Sequence, residues 1–281
     1  MKKKLIAAAA AAAALLSSCA AAESSADEDS KNPFFKALYR NADNKAEAVS
    51  DHSRLSAEKH GYGQGVQKDN ENRPVGAVEF NTEFGKYNAS AIGDKDSKTV
   101  RLTFDQGYEN GYTAKILDTL KAKNVKATFF VLDDYARRNP ELVKRMIDEG
   151  HIVGNHSVTH RSMPSLSADE CREEVMGLHK YILDEFGYEM SEFRPPMGEY
   201  SELSLAVTSE CGYSTLLWSY AYADWDPNAQ PDPGEALKKL KDNLHNGAVY
   251  LLHSVSSTNE AILADFIDLT RDKGYEFESL D

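Results

Sequence analysis

Cysteine is nearly missing, with three residues in 281. That scarcity excludes a small scaffold stapled by disulfides. Neither Cys171 nor Cys211 has a His or Cys neighbour at ligand spacing, so a thiolate metal site is excluded as well. Positive charge is also short: 32 Lys and Arg stand against 45 Asp and Glu, a formal charge of -13. A field of that sign repels nucleic acid and anionic lipid headgroups, so neither is expected as a partner. The longest apolar run, Leu5 to Leu16, is too short to span a bilayer. What is plentiful is ordinary: a hydrophobic fraction of 41% suffices for a sizeable core.

Lys2, Lys3 and Lys4, the apolar run and then Ser17-Ser18-Cys19 have the layout of a secretory signal. Leu16-Ser17-Ser18-Cys19 also resembles a bacterial lipobox, which makes residues 1–18 a leader and Cys19 the lipidated mature terminus. Two acyl chains there would anchor the protein stably to the outside of the cell membrane, where one would not. The alternative is cleavage after Ala20-Ala21-Ala22 and free secretion. Residues 19–60 are rich in Ala, Ser, Asp, Glu, Lys and Asn and read as a flexible tether, with a root-mean-square reach of roughly 35 Å. Residues 61–98 carry more aromatics and turn residues and form a lead-in to a catalytic domain over 99–281. Cys171 and Cys211 fall in expected helices and read as buried thiols rather than a disulfide.

From residue 99 the pattern is regular, with strands expected at 99–105, 127–132, 151–154, 192–194, 214–218, 248–252 and 275–279. Helices are expected between them at 112–123, 140–149, 168–186, 201–211, 234–245 and 258–273. Pro140 suits a first helical turn, and Gly150, Gly187, Gly212 and Gly274 suit helix ends. Strands alternating with helices argue an α/β fold, either a parallel barrel or a doubly wound sheet, and in both the chemistry collects at the carboxyl ends of the strands.

Those ends carry reactive side chains. Val100, Leu102 and Phe104 alternate with Arg101 and Thr103 until the pattern stops at Asp105-Gln106-Gly107, presenting an acid. After the third strand come His156 and His160, a spacing that on a helical turn puts both imidazoles on one face and suits a borderline cation such as zinc. The fourth strand ends at Arg194-Pro195-Pro196-Met197-Gly198, where two prolines remove donors and leave the Met197 N–H rigidly placed as an oxyanion donor. The fifth leads to Asp224-Trp225 and the sixth to Leu251-Leu252-His253. Asp224 there could orient His253 and raise its pKa, making it an acid for a leaving group.

Five stretches together, Thr103-Phe104-Asp105-Gln106-Gly107, His156 to His160, Arg194 to Gly198, Asp224-Trp225 and Leu251-Leu252-His253, resemble in order the motifs of the NodB-type polysaccharide deacetylases. The resemblance runs from about Gly61 to the end. It implies a distorted (β/α) barrel of about seven strands, a divalent metal of the zinc type ligated by His156 and His160, and hydrolysis of N-acetyl groups on a sugar. It further implies Asp105 as base, Arg194 as its holder, His253 with Asp224 as acid, and Trp225 and Leu251 at the substrate. Thr103 to Thr113, Arg194 to Glu202 and Tyr250 to Val255 are most similar to the delta-lactam-forming branch that acts on N-acetylmuramic acid. In that branch the family's usual second Asp is an Asn; here it is Gln106, a neutral and longer metal ligand. The expected partner is peptidoglycan glycan, for a monomer touching the membrane only through its anchor. Two alternatives stand beside this: an N-acetylglucosamine or chitin-oligomer deacetylase, and a wall-binding lipoprotein that has lost its metal.

Overall fold

The computed structural model describes residues 52–278; the expected leader, Cys19 and the tether as far as residue 51 lie outside the described residues. The chain divides into two compact units, Met1–Arg54 and Leu55–Asp281. Of the first, a 3-10 turn at His52–Arg54 is described.

In chain order the strands are β1 (His60–Gly61), β2 (Ala89–Ser90), β3 (Thr99–Gln106), β4 (Thr128–Val131), β5 (Ile152–Asn155), β6 (Glu192–Phe193), β7 (Glu199–Tyr200), β8 (Ser214–Leu216), β9 (Tyr220–Ala221), β10 (Ala248–His253) and β11 (Glu276–Phe277). The main sheet runs β2-β8-β6-β5-β4-β3-β10-β9, with β11 against β3, and its pairings are parallel. Parallel neighbours need long crossovers. Helices supply them, and Thr113–Ala122, Pro140–Asp148, Ala168–Phe186, Glu202–Glu210, Pro233–Asp242 and Ser257–Asp272 all lie within two residues of the expected bounds, apart from the end of the fifth.

Both faces of the strands are buried, for opposite purposes. Side chains alternate across a strand, and on β3 Val100, Leu102 and Phe104 turn outward into an apolar core with Ile116, Leu117 and Leu120 of the first of these helices. Arg101, Thr103 and Asp105 turn inward. There Arg101 donates to Thr128 Oγ1 (2.9 Å) and to Glu192 Oε1 (2.6 Å), while Arg194 donates to Thr103 Oγ1 (2.8 Å) and Asp105 Oδ1 (2.8 Å). A small apolar layer of Phe130, Leu216 and Val249 fills the space between. It requires Gly154 on β5, where an added Cβ would stand 2.5 Å from the Phe130 ring.

The expected strand 214–218 is two strands. β8 lies against β6, and after Leu217–Ser219 the chain continues as β9 against β10. Ser219 donates its N–H to Val249 O (2.9 Å) and accepts the Val249 N–H on Oγ (2.8 Å). One stretch thus pairs at both ends of the row and curls it into a barrel, which an uninterrupted strand in one register could not do.

The lead-in packs against the domain. β2 joins the main sheet beside β8, β1 pairs antiparallel with β7, and the helix Val75–Phe84 packs Ala77, Phe80 and Phe84 with Tyr200, Leu205 and Leu217. A short helix at Asp133–Arg138 was not expected; its register is reinforced by Arg137–Asp133 and Arg138–Asp134 pairs one turn apart. Cys171 and Cys211 are buried free thiols.

Candidate active site

Asp105 closes the inner row of β3, and β10 sets His253 directly beside it in register. Arg194 is fully buried, and its guanidinium is spent on Asp105, on Thr103 and on the carbonyls of Leu216 and Leu217, both at 2.9 Å. Its Cζ also lies 4.2 Å from the centre of the Phe130 ring. Burial would raise the Asp105 pKa, but the Arg194 charge, then those of His156 and His253, outweigh it and hold the carboxyl below its ordinary value. Asp105 is therefore an anion at neutral pH.

His156 and His160 do not sit on a helical turn. They flank a loop in which Ser157 (φ 78°) and His160 (φ 58°) take left-handed backbone conformations. Each such residue costs of order 1–3 kcal/mol unless its surroundings fix it. Here they do. Asn155 Oδ1 accepts the Ser157 N–H (2.8 Å), Ser157 Oγ accepts the His160 N–H (3.0 Å), and the Glu174 carboxylate accepts the N–H groups of Val158 (3.0 Å) and Thr159 (2.8 Å) and the Thr159 hydroxyl. The imidazole centres end 5.1 Å apart. His156 Nδ1 lies 2.8 Å from the Arg194 carbonyl, which can only accept, so Nδ1 carries the proton and Nε2 is bare, 3.6 Å from Asp105 Oδ2. Burial pushes His156 down to about 4 against the pull of Asp105, and it lowers His160 too.

His253 is built differently. Asp224, fully buried, takes the His253 N–H on Oδ2 (2.8 Å) and the ring Nδ1 on Oδ1 (2.7 Å). Asn259 Nδ2 donates to the same Oδ2 (2.5 Å) and to the His253 carbonyl (3.1 Å), and Tyr222 donates its hydroxyl to Asn259 Oδ1. Burial would lower the His253 pKa; the Asp224 hydrogen bond and charge, with that of Asp105, raise it above the ordinary imidazole value. The Nδ1 proton is held by Asp224, which leaves Nε2 for proton transfer.

These groups open onto a cavity of about 660 Å³. Asp105, His156, His160 and His253 line it with Met197, Trp225 and Leu251. Met197 has φ 59° and ψ 7°, and Gly198 after it has φ 65°, so the turn after Pro195 and Pro196 doubles back beside the site. The Met197 and Trp225 side chains are half exposed at the rim. Gln106 is not on the cavity wall. It is fully buried, its Nε2 donates to Ser254 Oγ (2.5 Å), and its Oε1 has no hydrogen-bond partner among the described residues.

No set of three His, Cys, Asp or Glu at metal spacing occurs among the described residues. The donors on the cavity wall that suit a divalent cation are the two neutral imidazoles of His156 and His160, one with its tautomer fixed by a carbonyl; the orphaned Gln106 amide oxygen lies off that wall. Several residues of the site carry no sequence signal. Glu174 is an ordinary helix carboxylate by pattern, Asn259 lies in a helix first turn, Trp218 was placed in a strand, and Tyr62 and Gln64, which line the cavity, lie in the lead-in.

The sequence pattern of the polysaccharide deacetylase family matches residues 92–216. An uncharacterised 30.6 kDa protein of Geobacillus stearothermophilus is 44% identical over 219 residues, covering 77% of this chain and 83% of that one. The peptidoglycan-N-acetylmuramic acid deacetylase PdaA of Bacillus subtilis is 40% identical over 213 residues, covering 75% and 81%. The solved structure of Bacillus subtilis PdaA, described as a family 4 carbohydrate esterase, superposes with a TM-score of 0.76 at 38% identity, over 81% of this chain and 97% of that one.

Proposed function

This chain belongs to the polysaccharide deacetylase family, and from that premise we propose that it removes N-acetyl groups from peptidoglycan, with N-acetylmuramic acid as the sugar. The observation that carries the chemistry is one cavity holding an anionic carboxylate, a histidine whose pKa is raised by Asp224 and two histidines whose pKa values are lowered by burial. The choice of sugar is supported by the likeness to PdaA.

In this reading His156 and His160 would hold a divalent cation, for which zinc is the metal of choice, and Gln106, buried off the cavity wall, would join them as a neutral third donor once its side chain turned toward the cavity. When bound, that cation polarises the acetyl carbonyl and makes water more acidic. Asp105, kept ionised by Arg194, takes the proton of the attacking water as its oxygen bonds to the carbonyl carbon. The Met197 N–H donates to the oxyanion, since Pro195 and Pro196 have no N–H to offer. His253 gives its Nε2 proton to the nitrogen as the C–N bond breaks, while Asp224 keeps the other ring nitrogen protonated. Acetic acid, which ionises to acetate, and a free amine result; Asp105 then releases its proton and His253 Nε2 takes one up from solvent, which restores both groups. Trp225 and Leu251 supply apolar contact to the sugar and its acetyl methyl.

We place the enzyme outside the cytoplasm, anchored through Cys19; the lipobox-like sequence supports this, and no described helix is long and apolar enough to cross a membrane. Cys19→Ser is then expected to move the protein from the membrane pellet to the soluble fraction, and an unchanged pellet would refute the anchor. The activity is tested by mass spectrometry of muramidase-digested peptidoglycan before and after treatment with zinc-loaded protein. Loss of acetyl mass from muramic residues is the expected result; loss from glucosamine residues alone would overturn the assigned sugar, and no loss would overturn the activity.

A further inference from the structure

Part of the cavity wall comes from outside the stretch that matches the family pattern, which begins at residue 92. Tyr62, Gly63 and Gln64 line the cavity as a strap, anchored where β1 pairs with β7 and where the Tyr62 N–H donates to the Gly198 carbonyl (2.9 Å). From there the strap grips Trp218. Gln64 Oε1 accepts the indole Nε1–H (3.0 Å), Gln64 Nε2 donates to the Ala221 carbonyl (3.4 Å), and the Tyr62 hydroxyl donates to the Trp218 carbonyl (2.5 Å). The Tyr62 ring meets the indole edge-on at 5.2 Å between centres. Gly198 is packed so closely against it that a Cβ there would lie 2.7 Å from Trp218 Cη2.

Trp218 is thus fixed in place and orientation while one part of it lines the cavity. A flat aromatic wall whose rotamer is already paid for presents a large apolar contact at little further entropic cost. The proton transfers are assigned to Asp105 and His253, and Trp218 has no part in them; its ring centre lies 5.8 Å from Cζ of Arg194, which holds Asp105.

We propose that Trp218 is the platform on which a sugar ring of the glycan strand lies, and that Tyr62 and Gln64 are positioning residues that make the site specific for glycan over small acetylated compounds. This rests on the reading of the protein as a glycan deacetylase. Gln64→Leu removes both amide hydrogen bonds at similar volume, Tyr62→Phe removes one donor with the ring kept, and Gln64→Glu keeps the acceptor for the indole N–H.

The test compares kcat and KM of the zinc-loaded full chain on peptide-free glycan strands and on a small chromogenic acetate ester, with affinity for the deacetylated strand read from tryptophan fluorescence. For Gln64→Leu, the fall in kcat/KM on glycan should exceed that on the ester by about tenfold and appear in KM, with product-strand affinity weakened alike. Gln64→Glu should recover part of that loss, and Tyr62→Phe should show a smaller loss of the same kind. Equal losses on strand and ester, or no loss of strand affinity, would overturn the proposal. A wild-type protein that binds strands through this wall without deacetylating them would overturn the activity and leave the wall standing.

Discussion

Asp105 and His253 are neighbours across a strand pair, and their surroundings favour the anion on one and the protonated ring on the other. Asp105→Asn and His253→Ala should each lower turnover on glycan by at least about a hundredfold, the usual scale for a general base or acid. The pH profile separates their roles. His253 is raised above 6.5, so the alkaline limb should lie above that value, as the proton on Nε2 is lost when pH rises through the folded pKa. Asp224→Asn removes the anion that holds His253 up and should move this limb to lower pH. An alkaline limb unmoved by Asp224→Asn would assign the acid to another group. Gln106 gives a second prediction. Its Oε1 is a neutral donor, and Gln106→Asp replaces it with an anion on a shorter arm, so zinc affinity in a competitive titration should rise by roughly one to two decades. Equal affinities would mean that position 106 does not face the cation. Asp105, His156, His160 and His253, which line the cavity together, could each be named as candidates from a strand end, whereas Gln106, named beside them, lies off the wall. Glu174 and Asn259 could not, because they act by holding a loop and a carboxylate that only the fold brings to them.

The elements show where periodicity is informative and where it is silent. Alternation in β3 and helical spacing in Thr113–Ala122 report a face, and each face is buried as the pattern demands. The break at Leu217–Ser219 has no such pattern, since Ser214–Leu216 and Tyr220–Ala221 are too short to show a period and the bend is imposed by the two edges they must reach. The histidine loop misleads in another way. A spacing of four suggests a helical turn, but side-chain caps from Asn155, Ser157 and Glu174 build a left-handed loop that brings the rings together instead. β5 carries the clearest steric demand, the bare Cα of Gly154 beneath the Phe130 ring. Gly154→Ala should destabilise the protein by about 1–3 kcal/mol, the usual cost of overpacking, measured by denaturant unfolding; an unchanged midpoint would show that Phe130 moves aside freely.

The whole molecule carries a built-in sensitivity to acid. His151 and His245 are buried far from proton-transfer chemistry and pushed down to about 4, mainly by burial. His151 Nδ1 accepts the Ala127 N–H (3.1 Å), a bond that protonation would break. In the unfolded chain both bind a proton below about 6.5, while the folded chain resists until about 4, so the unfolded state holds more protons between those values. Stability is therefore full above about 6.5 and falls as pH drops, by at most about 1.4 kcal/mol per pH unit for each group. Thermal unfolding across that range should show the slope, and His245→Gln should flatten it even if it lowers the melting temperature throughout. An identical slope in the variant would place the sensitivity elsewhere.

The guanidinium at the centre of the barrel also limits how such a protein can change over evolutionary time. Arg194 satisfies Asp105, Thr103 and two backbone carbonyls at once, so its replacement would strand four buried partners and endanger the fold together with the reaction. His253 and His160 stand at the cavity edge with fewer obligations. A descendant that kept the barrel to grip glycan while giving up hydrolysis would be expected to drift at those histidines first and to retain the arginine as a relic of the chemistry it once served.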